Sequence, residues 1–247
     1  MKRTKILMVF NHLTKRLNQL LTQDYVAFSS TENPVVQILS QTNFAQIAYV
    51  MQQYSIFPKE LVFFTELARQ KALEVQWNGV AQELKENIAE EMGLGTQGVS
   101  HYMLLAQGLE EALGVPVQNT TPSIATSKLL ATVRSVFNQQ PAYVLGATYA
   151  IEATSIPELS LIVQLINWLL EGAMPKDLQY FFNKHLNEWE LEHEEGLRTT
   201  IAAYIQPEQF REFEAGFLAI MDAMEIWWQE LAQEAISSKV TLGMAIA

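Results

Sequence analysis

The chain has 247 residues, 49% of them hydrophobic, which is enough to bury a substantial core and lies in the upper range for one domain. Its 16 basic against 27 acidic residues leave a net charge of -11, a field that repels nucleic acid and anionic membrane faces and attracts cations. Cysteine is absent, which removes disulfides, thiolate metal sites, iron–sulfur clusters and cysteine nucleophiles, so any metal site must use histidine and carboxylates.

Apolar residues recur every three or four positions along nearly the whole chain, and no stretch alternates as a half-buried strand would. The expected fold class is therefore all-α, a single helical domain over residues 1–247. Lys2, Arg3 and Lys5 precede an apolar run that stops at Asn11-His12, too short for a secretory signal, so a cytoplasmic location is expected. A first helix is expected from about Thr4 to Leu21, followed by a polar break through Ser29-Ser30-Thr31-Glu32-Asn33. Pro34 is placed to open a short second helix.

Thr42 is expected to cap a third helix carrying Phe44, Ile47, Ala48, Met51 and Tyr54 toward the core. Pro58 separates it from a long fourth that reaches Met92, with a break near Trp77-Asn78-Gly79. Gly93, Gly95 and Gly98 then interrupt the pattern, and Val99 or Ser100 starts a helix carrying His101 that ends at Gly114-Val115-Pro116. Another covers Ser123 to Asn138, and Pro141 opens the one containing Glu152, which Pro157 kinks or divides. Leu159 to Leu170, broken by Gln164 and Asn167, reads as a buried helix and falls short of a membrane span. Gly172 and Pro175 mark the next boundary. The segment holding His185 follows, then a final helix whose stripe of Phe210, Phe213, Phe217, Met221, Met224, Trp228 and Leu231 reads as core packing. The tail after Ser237 is expected to be loosely packed.

Three of the four histidines lie near acids in these helical segments. Glu152 sits in so apolar a stretch, Leu145 to Ala153, that its carboxylate should be buried, and an unpaired buried charge costs roughly several kcal/mol unless a cation or strong donors meet it. Imidazole and carboxylate together suit iron or manganese, because neutral nitrogen and hard anionic oxygen stabilise a divalent ion that also reaches a higher oxidation state. Between His185 and His193 the spacing is awkward: at about 100° per residue a regular helix turns Glu190 about 140° and His193 about 80° away from His185. One residue absorbed as a π-bulge between Leu186 and Trp189 returns all three to one face. Without it, Glu188 and Glu192 share the face of His185 and a structural ion-pair reading gains ground.

Several motifs carry a resemblance. Asn87-Ile88-Ala89-Glu90-Glu91 is followed by a glycine-containing turn and His101; Tyr149-Ala150-Ile151-Glu152 precedes Ile156-Pro157; and His185 through His193 close the set, with Phe57-Pro58-Lys59 upstream. From about Thr42 to Gly196 the chain resembles the CADD-like group (Chlamydia protein associating with death domains), within the haem-oxygenase-like diiron oxidases. It departs in a longer turn before His101, in Glu190 where the group has aspartate, and in one extra residue between His185 and Glu190.

The resemblance implies a haem-oxygenase-like helical bundle in which Glu91, His101, Glu152, His185, Glu190 and His193 hold two Fe(II)/Fe(III) ions, with manganese as a substitute. It further implies dioxygen and a small amine-, amino-acid- or fatty-acid-like substrate as partners, and for the CADD-like group a link to para-aminobenzoate supply. A homodimer is compatible with it; nucleic acid and membrane are not expected. Tyr49, Tyr54, Tyr149 and Trp189 are candidate redox-active neighbours. Four alternatives stay open: a mononuclear or degenerate member of the fold; a TenA-like pyrimidine-cleaving enzyme, whose usual cysteine is missing; a haem oxygenase with His12 as proximal ligand; and a metal-free helical interaction protein built on a buried polar network.

Overall fold

A computed structural model describes residues 3–27, 31–170 and 174–237, and among these no strand occurs. The helices are α1 (Arg3–Asp24), α2 (Pro34–Gln37), α3 (Phe44–Tyr54), α4 (Ile56–Glu74), α5 (Asn78–Glu91), α6 (His101–Leu113), α7 (Ile124–Phe137), α8 (Pro141–Leu170), α9 (Lys176–Lys184), α10 (Glu190–Ala202) and α11 (Phe210–Ser237). Parts of the break at Ser29-Ser30, the boundary at Gly172 and the tail after Ser237 lie outside the described residues.

Local chemistry sets most boundaries. Pro34 opens α2, and the Asn33 side chain accepts the Val35 N–H at 2.9 Å. Asn43, not Thr42, caps α3: its side chain takes the Gln46 N–H while Gln46 returns the favour to the Asn43 N–H, a reciprocal capping box. The Thr42 hydroxyl is already committed to the Leu39 carbonyl at 3.0 Å. Pro58 falls inside the first turn of α4, where a helix has no use for its missing N–H, so the junction comes earlier, at Ser55. The break between α4 and α5 centres on Gln76, which adopts a left-handed conformation (φ 60°) and lets the Trp77 N–H close on the Ala72 carbonyl at 2.8 Å.

Pro157 does not divide α8, which runs unbroken for 30 residues because only one backbone bond is lost to the ring. By length and hydropathy α8 would pass for a membrane span, yet it is the central helix of the bundle and carries two buried acids, Glu152 and Glu158. It packs most extensively on α11. At their crossing the backbones nearly touch: a Cβ on Gly146 would sit 1.9 Å from the Phe213 carbonyl oxygen, and one on Gly216 would sit 1.9 Å from that of Tyr143. This close approach lets the α11 stripe enter the core. Phe213, Phe217, Met221, Met224, Trp228 and Leu231 are all buried, Phe210 partly so, each full burial contributing roughly 1.5–3 kcal/mol. Phe10 of α1 meets Phe213 edge-on at 5.1 Å, and Tyr149 of α8 packs against Phe213 and Phe217 at 5.8 Å. On the other side of α8 lie α4 and α10, with α5 between those two and α6 against α9. It is there that the polar residues of the interior collect.

Candidate metal centre

Among the described residues seven acids and histidines are buried, and six are Glu91, His101, Glu152, His185, Glu190 and His193; the seventh is Glu158. Glu91 ends α5 and His101 begins α6, so the connection between them sets their distance. It is a compact loop that folds on itself through Gly98 N–H to Gly93 O at 3.1 Å and Val99 N–H to Thr96 O at 3.1 Å. Gly93 is required there: its φ is +107° and a Cβ would strike the Gly98 backbone at 2.7 Å. Ser100 then caps α6 by accepting the Met103 N–H, and His101 enters as its first residue.

The expected π-bulge is present. Residues His185–Trp189 form one π-helical turn between α9 and α10, closed by the Glu190 N–H on the His185 carbonyl. Five residues now complete roughly one turn, and His185 Nδ1 and Glu190 Oε1 come within 2.7 Å instead of splaying apart. His193 follows Glu190 by three residues and shares its inward face, toward Glu152 on α8.

Two subsets result. Glu152, Glu190 and His193 offer ligand atoms that all lie within 4.8 Å of one another, close enough to converge on one ion. Glu91, His101 and His185 stand beside them and are not drawn into a group that compact: His101 Nδ1 meets Glu91 Oε1 at 3.1 Å, and the His101 and His185 rings cross edge to face at 4.8 Å. The His185–Glu190 contact joins the subsets. In both His101 and His185 the Nδ1 atom is engaged with a carboxylate while Nε2 is buried without a hydrogen-bond partner. Buried polar atoms are rarely left so, and two orphaned imidazole nitrogens in one acidic cluster are what a cation would satisfy.

The electrostatics point the same way. Burial lowers the His185 pKa to about 3, which fixes the ring in the neutral form that ligates. Burial also pushes Glu152 and Glu190 well above the carboxylate range, as expected of anions crowded together without a permanent positive charge. For His193 burial works against the charged ring, but the Glu152 and Glu190 carboxylates and the Glu90 hydrogen bond outweigh it and raise the pKa. Burial would raise Glu91 too, yet the His101 hydrogen bond and the neighbouring imidazoles hold it below its ordinary value. The cluster thus limits its charge by sharing protons.

Two supporting residues come from the same α5 motif. Asn87 donates to Glu152 Oε1 at 3.0 Å, and Glu90, at the rim, meets His193 Nε2 at 2.7 Å, turning Nδ1 toward Glu152 Oε2 at 3.9 Å. Glu188 and Glu192 are exposed and take no part; Glu188 pairs with Lys184 at 2.5 Å. His12 is exposed on α1 and is not one of the buried histidines. Trp189 lies flat on His101 at 4.1 Å, Tyr149 is tied to Asn18 and Glu194, and Tyr49 reaches Glu234. Tyr54 lines a cavity of about 70 Å³ that opens over Glu91, His101, His185 and Glu190. Glu158, which also lines that cavity, is a buried acid that the sequence does not single out, because Thr154, Ser155 and Ser160 around it make its context less apolar than that of Glu152.

A family model for a domain of unknown function with solved structures, DUF3865, matches residues 11–234. The chain belongs to this family. It is similar to a CADD-like protein of unknown function from Nostoc punctiforme in two crystal structures. One is 76% identical with a TM-score of 0.91, over 93% of this chain and all of that one. The other is 74% identical with a TM-score of 0.89, over 95% of this chain and 99% of that one. No curated protein matches the sequence.

Proposed function

We propose that the chain is a non-haem diiron oxidase or oxygenase of haem-oxygenase-like fold, which activates dioxygen to oxidise a small organic substrate. The observation that carries this reading is the buried cluster of three histidines and three glutamates with two imidazole nitrogens left unpartnered. Glu152, Glu190 and His193 would hold one ion and Glu91, His101 and His185 the other, with Glu190 next to both. The donor set fits: neutral nitrogen and hard oxygen suit iron and manganese, and two divalent ions against three carboxylates leave one positive charge that Glu90 at the rim cancels. Iron, when bound, supplies the redox chemistry toward dioxygen. The protein's part is positional. Asn87 and Glu90 orient Glu152 and His193, Trp189 shields His101 from solvent, and the adjoining apolar cavity holds substrate against the ligand face while excluding water.

A mononuclear centre is the second reading, favoured by the fact that among the described residues Glu152, Glu190 and His193 are the group of three whose ligand atoms approach one another within 4.8 Å. Anaerobic loading with ferrous iron followed by exposure to air tests the proposal. Oxygen uptake in step with iron oxidation, together with a transient visible absorption, is expected; a protein that takes up iron yet leaves dioxygen unconsumed would refute the oxidase reading.

A further inference from the structure

The cavity beside the ligand cluster has a second polar end that metal binding does not use. On α8 the residues that line it fall at helical spacing, Ile151, Thr154, Ser155, Glu158 and Leu159, so one stripe runs from beside Glu152 to Glu158. Glu158 is 4% exposed. Its Oε1 accepts from the Tyr25 hydroxyl and from Trp228 Nε1 at 2.9 Å, while Oε2 is buried with no hydrogen-bond partner. No lysine or arginine lines the cavity, and none pairs with Glu158 elsewhere among the described residues.

A purely structural role accounts for half of this. Glu158 ties Tyr25, just beyond α1, to α8 and α11, but both of those bonds end on one oxygen, and a glutamine would accept them without the cost of burying an acid. The second oxygen is surplus to the latch and sits in a residue that lines the cavity. Two donors on Oε1 stabilise the anion, although burial pushes the pKa up to about 7, and Oε2 remains an unmet acceptor on a residue that lines the cavity outside the ligand cluster. Outside the ligand cluster the cavity walls are largely apolar, Phe57, Leu61, Leu105 and Phe181 among them, and besides Glu158 they carry the neutral hydroxyls of Tyr54, Tyr102, Thr154 and Ser155.

We infer that Glu158 is the recognition residue of the substrate cavity and that it takes the ammonium group of a small primary amine whose apolar body extends toward His185 and Glu190. This rests on the functional reading above for which end of the ligand faces the reacting centre, but not for the binding itself. A cavity of about 70 Å³, room for roughly five water centres, limits the ligand to a short chain or a single ring. A free carboxylic acid is disfavoured at this end, because an anion would meet Glu158 with no cation to receive it.

The test uses n-pentylamine, n-pentanol and pentanoate with metal-free and iron-loaded protein, read by calorimetry and by tryptophan fluorescence, to which Trp228, bonded to Glu158, contributes. Wild type is expected to bind the amine at least tenfold more tightly than the alcohol or the acid. Glu158→Gln, which keeps an acceptor for Tyr25 and Trp228, is expected to abolish that preference while alcohol binding and iron content stay unchanged and the melting temperature is no lower than that of the wild type. Equal affinity for amine and alcohol in wild type, or an amine preference that survives in Glu158→Gln, would overturn the inference. The wild-type comparison needs no variant, so a folding defect cannot obscure the result. Amine selectivity in a chain that binds no iron would leave this inference standing and remove the oxidase reading; iron uptake without amine selectivity would do the reverse.

Discussion

The two flanks of α8 obey opposite rules. Toward α11 it packs Gly146 against the Phe213 carbonyl and receives Gly216 against that of Tyr143, and the seam is filled by Phe213 and Phe217, apolar groups that need only shape. Toward α5, α6 and α10 it presents Glu152 to a cluster of imidazoles and carboxylates, groups that each cost free energy to bury and repay it only with the right partner. Stability should therefore reside in the first seam and function in the second. A fold optimised for stability alone would not place six ionisable side chains where leucines would pack.

The most damaging change should lie in the first seam. Gly146→Ala or Gly216→Ala drives a methyl group into a backbone carbonyl that neither helix can move, and the expected cost, more than about 4 kcal/mol, should leave little folded protein in a thermal melt. In the second seam Glu152→Ala or His101→Ala is expected to abolish iron binding by elemental analysis while the far-ultraviolet circular dichroism stays helical. A variant that kept its iron would show that the residue is not a ligand; one that unfolded would show that the polar seam holds the fold together.

Glu158 gives a milder contrast through pH. Its pKa of about 7 in the folded chain lies above the 4.5 of an unperturbed glutamate, so the native state holds the proton over that window and the unfolded state releases it. Native stability is untouched by this group below about pH 4.5 and falls as pH rises, by on the order of 3 kcal/mol once pH passes 7. Glu158→Gln should remove that decline, and parallel denaturant titrations at pH 5 and pH 8 would show the wild type losing more stability than the variant. Identical losses would mean that the carboxyl is already solvated or paired.

The smallest effect is expected from deleting Asn187. Because the π-turn absorbs one residue, its removal should restore a regular helix with α9 and α10 still in register, and melting temperature and iron content should change little. Deletion of a residue from the middle of α11, by contrast, would turn the Phe213 stripe out of the core.

What was legible in the sequence follows the same division. Apolar periodicity placed the helices within a few residues, and proline and glycine located most ends, because those signals are local. The choice of Asn43 over Thr42 as a cap turned on a side chain that pairs with Gln46, and the unbroken course of α8 through Pro157 on neighbours that hold the helix together. The π-turn could be anticipated because His185, Glu190 and His193 share a face only if one residue is wound out. The split of the site into two subsets could not be read: rotamers decide whether His101 and His185 turn Nδ1 or Nε2 toward a carboxylate, and spacing is silent on that. Glu158 was missed for a different reason. Its partners, Tyr25 and Trp228, lie 133 and 70 residues away, and nothing near it in the chain announces them.

The central claim is that helices distant in sequence bring together two ions' worth of ligands around Glu190. Anaerobic titration of the metal-free protein with ferrous iron, followed by elemental analysis of the desalted chain, measures it directly. The account predicts saturation at two irons per chain; saturation at one would leave only the Glu152, Glu190 and His193 subset as a site, and no retained iron at all would contradict the account outright.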